Sequence, residues 1–212
     1  MTLHRLTTAP IGNFGFFIPH DWFVFPEPRC PECEWLRKER VFPLELEYVP
    51  GPPGDFYSAI RIALARREVA EDLAAKFAGL EPKPVKHQEL RRRPSYKGPE
   101  LAELWFPLEI PPNPELSDLK LKVDCSNPEH RGYAILGTEL PRRSIKVGED
   151  DWQTVGPTPR EPGHGVILHE ADLHGLSFFR FVDCQLCTGE VADYIRGKGW
   201  TNVDLPEFGE TI

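Results

Sequence analysis

Twenty-three prolines among 212 residues rule out a fold dominated by long helices. Proline has no backbone N–H and clashes with the preceding helical turn, and this chain carries about twice its ordinary share. Short strands, extended pieces and long loops are therefore expected, with helices only where a proline-free stretch allows them. Hydrophobic residues make up 40% of the chain, enough for a sizeable core.

One such stretch is Arg66–Ala78, where Val69, Leu73 and Phe77 recur every fourth residue as an apolar stripe and Gly79 stands at the stop position. Gly189–Gly197 is the second predicted helix, with Thr188 as N-cap and Val191 and Ile195 facing inward. Extended segments are predicted at Leu3–Leu6, Phe14–Ile18, Trp22–Phe25, Tyr57–Leu64, Val85–Arg91, Leu101–Leu108, Leu119–Val123, Val166–Leu168 and Phe178–Val182. Pro50–Gly54 is a turn. The tract 141–165, rich in Pro and Gly, reads as a long loop or linker. Strands and helices alternate without a regular βαβ rhythm. The expected class is therefore α+β, with antiparallel or mixed strands, a few short helices, many loops and a zinc-ribbon-like element. The expected organisation is one domain over 1–212, or two lobes at about 1–140 and 166–212 joined by 141–165.

The formal net charge of −8 is concentrated: Val147–Ile212 holds twelve acidic and four basic residues, so the rest of the chain is neutral. Such a surface repels phosphate and argues against nucleic acid as the main partner, whereas it speeds encounter with a basic protein. The same charge also serves simple solubility. No apolar run reaches the roughly 20 residues that cross a bilayer, and Met1–Leu6 lacks the apolar stretch of a signal peptide. The expected compartment is the cytoplasm, where five cysteines serve as thiols or metal ligands rather than as a disulfide framework.

Cys30-Pro31-Glu32-Cys33 is the sharpest local motif. Two thiolates separated by two residues in a tight turn can grip one zinc ion, which needs two further ligands. Cys125 and His130 are the candidates, because Asn127-Pro128 favours a turn that returns His130 toward Cys125. Two ordinary thiols, and a half-buried cysteine beside a surface histidine, are the plainer readings. Cys184-Gln185-Leu186-Cys187 is a second pair. Three readings stand for it: buried small hydrophobes, a second metal pair, or a redox pair at a helix start. Residues three apart on a strand point to opposite faces, which favours the first.

His169-Glu170-Ala171-Asp172-Leu173-His174 is not a zinc-protease helix, since its histidines are five apart rather than four. His164, between two glycines, reads as a loop residue. Arg91-Arg92-Arg93, with Lys97 nearby, reads as a solvated strand end. No Walker loop, nucleophile elbow or dinucleotide fingerprint is present.

His20-Asp21-Trp22, then Pro26 and Cys30-Pro31-Glu32-Cys33, resembles the N-terminal part of the double-CxxCG-motif immunity proteins, first described as a paralogous family of myxobacteria. Asp172-Leu173, Phe178-Phe179-Arg180-Phe181, Thr188 and the helix to Gly197-Lys198-Gly199-Trp200 resemble that family's closing strand–strand–helix unit. Gly98–Leu104 is a weaker match. The resemblance implies a cytoplasmic immunity factor of a polymorphic toxin system that binds and neutralises its cognate toxin, with cysteine pairs as metal ligands. Cys30 and Cys33 match the first pair, with Glu34 in place of the usual glycine. Cys125 falls in the second pair, whose other cysteine is missing, which leaves Cys30, Cys33, Cys125 and His130 as the quartet for a structural zinc.

On this reading the chain is not an enzyme, and it works by covering the toxin's active site. Glu149, Asp150, Asp151, Glu161, Glu207 and Glu210 would complement a basic cleft, with Trp152 and Trp200 as aromatic anchors or core residues. The rivals are a zinc-dependent enzyme using His164, His169, Glu170 or His174, and a nucleic-acid-binding zinc ribbon.

Overall fold

The computed structural model describes residues 1–8, 16–20, 23–25, 27–35, 39–49, 51, 54–59, 62–87, 97–136, 143–146, 152–155 and 163–212. Along the chain run β1 (Thr2–Arg5), β2 (Phe16–His20), β3 (Phe23–Val24), β4 (Glu39–Arg40), β5 (Leu44–Val49), β6 (Phe56–Ala59), β7 (Ile62–Arg66) and α1 (Arg67–Lys76). Then follow β8 (Glu81–His87), β9 (Leu101–Trp105), β10 (Glu109–Ile110), β11 (Leu119–Val123), β12 (Gly132–Ile135), β13 (Arg143–Lys146) and β14 (Trp152–Val155). The chain closes with β15 (Val166–Leu168), β16 (Phe178–Phe181), β17 (Cys184–Thr188), α2 (Gly189–Lys198) and β18 (Glu207–Thr211). Short 3-10 turns cover Pro128–His130 and Glu170–Leu173. The expected α+β class holds: the described residues form mixed sheets and two short helices. No helix among the described residues is long and apolar enough to cross a membrane.

Two six-stranded sheets organise the chain. The first has the order β10-β16-β17-β1-β18-β15, and the second β2-β5-β8-β9-β7-β6. β2 and β6, the edges of the second sheet, come within 8 Å of each other between Cα atoms, so that sheet curls into a half-barrel. The expected lobes at about 1–140 and 166–212 do not coincide with the sheets, because β1 pairs with both β17 and β18.

Strand alternation sorts the side chains into three cores. Leu44, Leu46, Tyr57, Leu64 and Leu101 fill the concave side of the half-barrel. Ala63, Ala65, Leu104 and Phe106 point the other way and meet Val69, Leu73 and Phe77, together with Phe178, Val191 and Ile195 from the first sheet and α2. Both predicted helical stripes thus face this shared core, and each large apolar side chain contributes about 1.5–3 kcal/mol by burial. The far face of the first sheet carries Leu3, Phe179, Phe181 and Leu186, and Ile135 and Leu119 of the β11–β12 hairpin pack against it.

Several local expectations are corrected. Tyr57–Leu64 is two antiparallel strands, Ala59 opposite Ile62, rather than one. The reversal lacks a Gly, Pro or Asn to announce it. β8 begins at Glu81, four residues earlier than expected, despite Pro82 and Pro84. Those prolines face β9 on one side only, since the pairing with β5 starts at Val85, so no ladder donor is needed from them. The tract 141–165 contains the β13–β14 ladder from Arg143↔Val155 to Lys146↔Trp152, because the helix- and strand-breaking residues crowd only its second half. Thr188 sits at the N-cap of α2 but its hydroxyl makes no capping bond.

Gly79 adopts φ +94°, and a Cβ there would collide with the Phe178 carbonyl oxygen. α1 already ends at Phe77, so this glycine serves the close approach of two backbones rather than the helix stop. Gly79→Ala is expected to cost about 1–3 kcal/mol in urea unfolding, since neither backbone can retreat without breaking the bonds from Ser177 and Phe178 to the Ala78 carbonyl.

Candidate metal centre

The first arm is the turn at 30–35. The Glu34 amide donates to the Cys30 carbonyl at 2.8 Å and the Cys30 amide to the Trp35 carbonyl at 2.9 Å, which folds Cys33 back beside Cys30. Glu34 closes the turn with φ +57°, left-handed backbone that glycine adopts without penalty. Glu34→Gly is therefore expected to raise stability by up to about 1 kcal/mol, while Glu34→Val lowers it by about 1–2 kcal/mol, both read by urea denaturation.

The second arm is the loop of the β11–β12 hairpin. Asn127 accepts the Glu129 amide through its side chain, Pro128 starts the 3-10 turn, and the His130 amide donates to the Asn127 carbonyl at 3.0 Å. This turn returns His130 over Cys125, with Cys125 Sγ at 3.7 Å from His130 Nδ1. Arg131 Nε donates to the Cys125 carbonyl and fixes the strap.

The arms meet at four ligand atoms. Cys30 Sγ lies 3.9 Å from Cys125 Sγ, and Cys33 Sγ lies 3.9 Å from His130 Nδ1. All four atoms fall within 4.8 Å of one another. Zinc–sulfur bonds of about 2.3 Å at tetrahedral angles give ligand–ligand edges of about 3.8 Å, so the arrangement fits one such ion. The four residues named from the sequence are thus brought together and could hold a metal. Among the described residues they are the one such group of His, Cys, Asp and Glu. Cys125 is buried and the other three are half-buried.

Supporting contacts surround the quartet. Glu32 accepts both the amide and the hydroxyl of Ser126, tying the arms together. Those two bonds hold its carboxyl below the ordinary range. Trp35 stacks on His130 with ring centroids 4.4 Å apart and planes at 15°. Asn127 Nδ2 lies 3.2 Å from His130 Nε2, so the imidazole is oriented through both nitrogens. Glu32, Trp35 and Ser126 were not singled out from the sequence. Their position inside or beside the two motifs was the available signal.

The thiols are electrostatically unequal. Backbone N–H groups of Cys33 and Glu32 bring the Cys30 thiol down to about 6. Burial pushes the Cys125 thiol up to about 11, and neighbouring sulfurs add to this. A cation between them would relieve the repulsion and favour deprotonation of all three.

The second cysteine pair is elsewhere. Cys187 is fully buried in the shared core, where burial pushes its thiol up to about 12, and Cys184 packs on the opposite face of β17. That places them as packing residues and not as a chelating pair. His164 Nδ1 donates to Asp118 Oδ2 at 3.1 Å, while His169 and His174 flank the 3-10 turn at Glu170–Leu173, exposed and outside the metal group. A groove of about 580 Å³ borders Asp172 and His174, lined by Leu108, Glu109 and Pro111.

Of the acidic residues expected to meet a partner, Glu207 is exposed on β18 and Glu210 accepts the Gly163 amide at 2.9 Å. Trp200 is half-buried, edge-on to Phe56 and Tyr194 against the shared core. Glu149, Asp150, Asp151 and Glu161, the side chain of Trp152, and the Arg91–Arg93 run lie outside the described residues. Compared with known proteins, the chain matches no family model, no curated protein and no solved structure.

Proposed function

We propose that this chain is an immunity-type protein whose fold is locked by one structural zinc ion and which neutralises a cognate toxin by binding over its active site. The observation that carries the reading is the Cys30, Cys33, Cys125 and His130 quartet, whose four ligand atoms lie within 4.8 Å of one another and would complete a tetrahedral site with no position left for a reacting water. Three thiolates and one imidazole suit zinc, and a closed site suits architecture rather than catalysis. The resemblance of the motif order to the double-CxxCG immunity pattern, with Glu34 in a backbone conformation that glycine favours, supports this reading.

The proposed mechanism is stoichiometric occlusion. The acidic final third gives long-range attraction to a basic toxin surface, and apolar contacts give the residence time. The test is binding and protection with the protein encoded beside it. A tight one-to-one complex and rescue of growth support the proposal, whereas binding absent at low salt and failure to protect would overturn it. In that complex Glu207→Lys is expected to slow association about tenfold at low ionic strength, with the difference shrinking as salt is added, as read by stopped-flow mixing.

A further inference from the structure

Metal chemistry leaves one property of the clasp unused: its two arms are held together by contacts that involve no ion. Glu32 bonds Ser126 across the gap, and Trp35 stacks on His130. Cys30 Sγ and Cys125 Sγ, 3.9 Å apart, stay neighbours as long as these contacts persist. A disulfide requires about 2.05 Å between sulfurs, so side-chain rotation by less than 2 Å closes the gap.

We infer that Cys30 and Cys125 form an oxidation site, at which hydrogen peroxide converts the metal-free clasp into a covalent one joining the same two arms. Accessibility sets the order of events, since Cys30 is half-exposed while Cys125 is buried. The Cys30 sulfur attacks one peroxide oxygen and the O–O bond breaks. One water leaves and Cys30 becomes a sulfenic acid. The Cys125 sulfur then displaces the sulfenic oxygen, the S–O bond breaks, the S–S bond forms, and a second water leaves. Two thiols lose two electrons and two protons, and one peroxide becomes two waters.

Cys33 Sγ also lies within 4.8 Å of both sulfurs and 3.9 Å from His130 Nδ1, so the Cys30–Cys125 pairing rests on the 3.9 Å contact between those two sulfurs, and Cys33 is the thiol left over. Cys184 and Cys187 supply an internal reference. They sit on opposite faces of β17, paired with Phe181 and Phe178, and cannot reach each other.

The experiment uses the full chain, stripped of metal by a chelator and treated with hydrogen peroxide in slight excess. Thiol titration should fall from five to three, and a non-reducing digest should join the Cys30 peptide to the Cys125 peptide. The zinc-loaded protein should release one ion per disulfide formed. Cys33→Ser should retain the Cys30–Cys125 link. A Cys30–Cys33 link in the wild-type chain, or sulfinic acid at Cys30 with no link to Cys125, overturns the inference. The wild-type digest decides the matter even if Cys33→Ser fails to fold. None of these outcomes bears on toxin binding.

Discussion

Chelating the zinc-loaded protein is expected to lower its unfolding free energy by about 4–5 kcal/mol and its thermal midpoint by roughly 10 °C. The size follows from the geometry of the clasp. Cys30 and Cys125 are 95 residues apart in sequence, and a cross-link across such a span removes a large part of the unfolded chain's freedom. The link joins the turn between β3 and β4 to a hairpin packed on the first sheet, so its loss falls on a contact between two distant elements rather than on one loop. Differential scanning calorimetry with and without chelator measures the change. Cys125→Ser should show the chelated midpoint at once and then ignore the chelator. A chelator-insensitive wild-type midpoint would sink the structural-metal reading. Acid should act in the same direction as the chelator. Glu32 titrates below its ordinary range, so the stability that it gives to the clasp is present at neutral pH and lost as pH falls through that lowered value. Ligand protonation releases the metal over the acidic range as well.

The clasp was legible in the sequence because its information is local twice over. Each arm carries two ligands within six residues, with a turn signal between them, and only the meeting of the arms is long-range. The helices were legible for the same reason, since Val69, Leu73 and Phe77 announce a buried face by spacing alone. The sheet order was not. β1 lies between β17 and β18, and nothing in Thr2–Arg5 specifies partners some two hundred residues away. The hairpin within Tyr57–Leu64 was hidden because Ala59 and Ile62 continue the apolar pattern through the reversal, and tertiary pairing with β9 decides where the chain turns. Trp200 illustrates a different ambiguity. A tryptophan beside glycine suits an interface or a core equally from sequence, and here its contacts with Phe56 and Tyr194 commit much of its ring to the core.

Replacing Arg40 alone with methionine is expected to cost about 3–5 kcal/mol at neutral pH, whereas Arg40→Met with Glu103→Leu should cost much less. Arg40 Nη2 donates to Glu103 Oε1 at 2.7 Å, with 7% and 3% of the two side chains exposed. The rings of Phe23 and Phe42 lie against the guanidinium, 5.6 and 5.4 Å from it. Glu103 follows Leu101 on the concave side of β9, and its second oxygen, Oε2, is buried without a hydrogen-bond partner. Burial raises the Glu103 carboxyl above its ordinary value, and Arg40 opposes that rise more strongly than Lys83 does. A carboxyl with a raised folded pKa favours the native state below its unfolded value, and that advantage disappears as pH climbs through the folded value. Removing Arg40 lifts the folded value further, so the single variant should recover part of its deficit between pH 7 and pH 5, before the carboxylates with lowered values, Asp72 and Glu32, begin to protonate. The double variant has no such carboxyl and should show no comparable recovery. Urea unfolding at intervals across that range separates the two patterns. An equal deficit at both pH values would show that packing, not the buried charge, is what Arg40 supplies to the half-barrel.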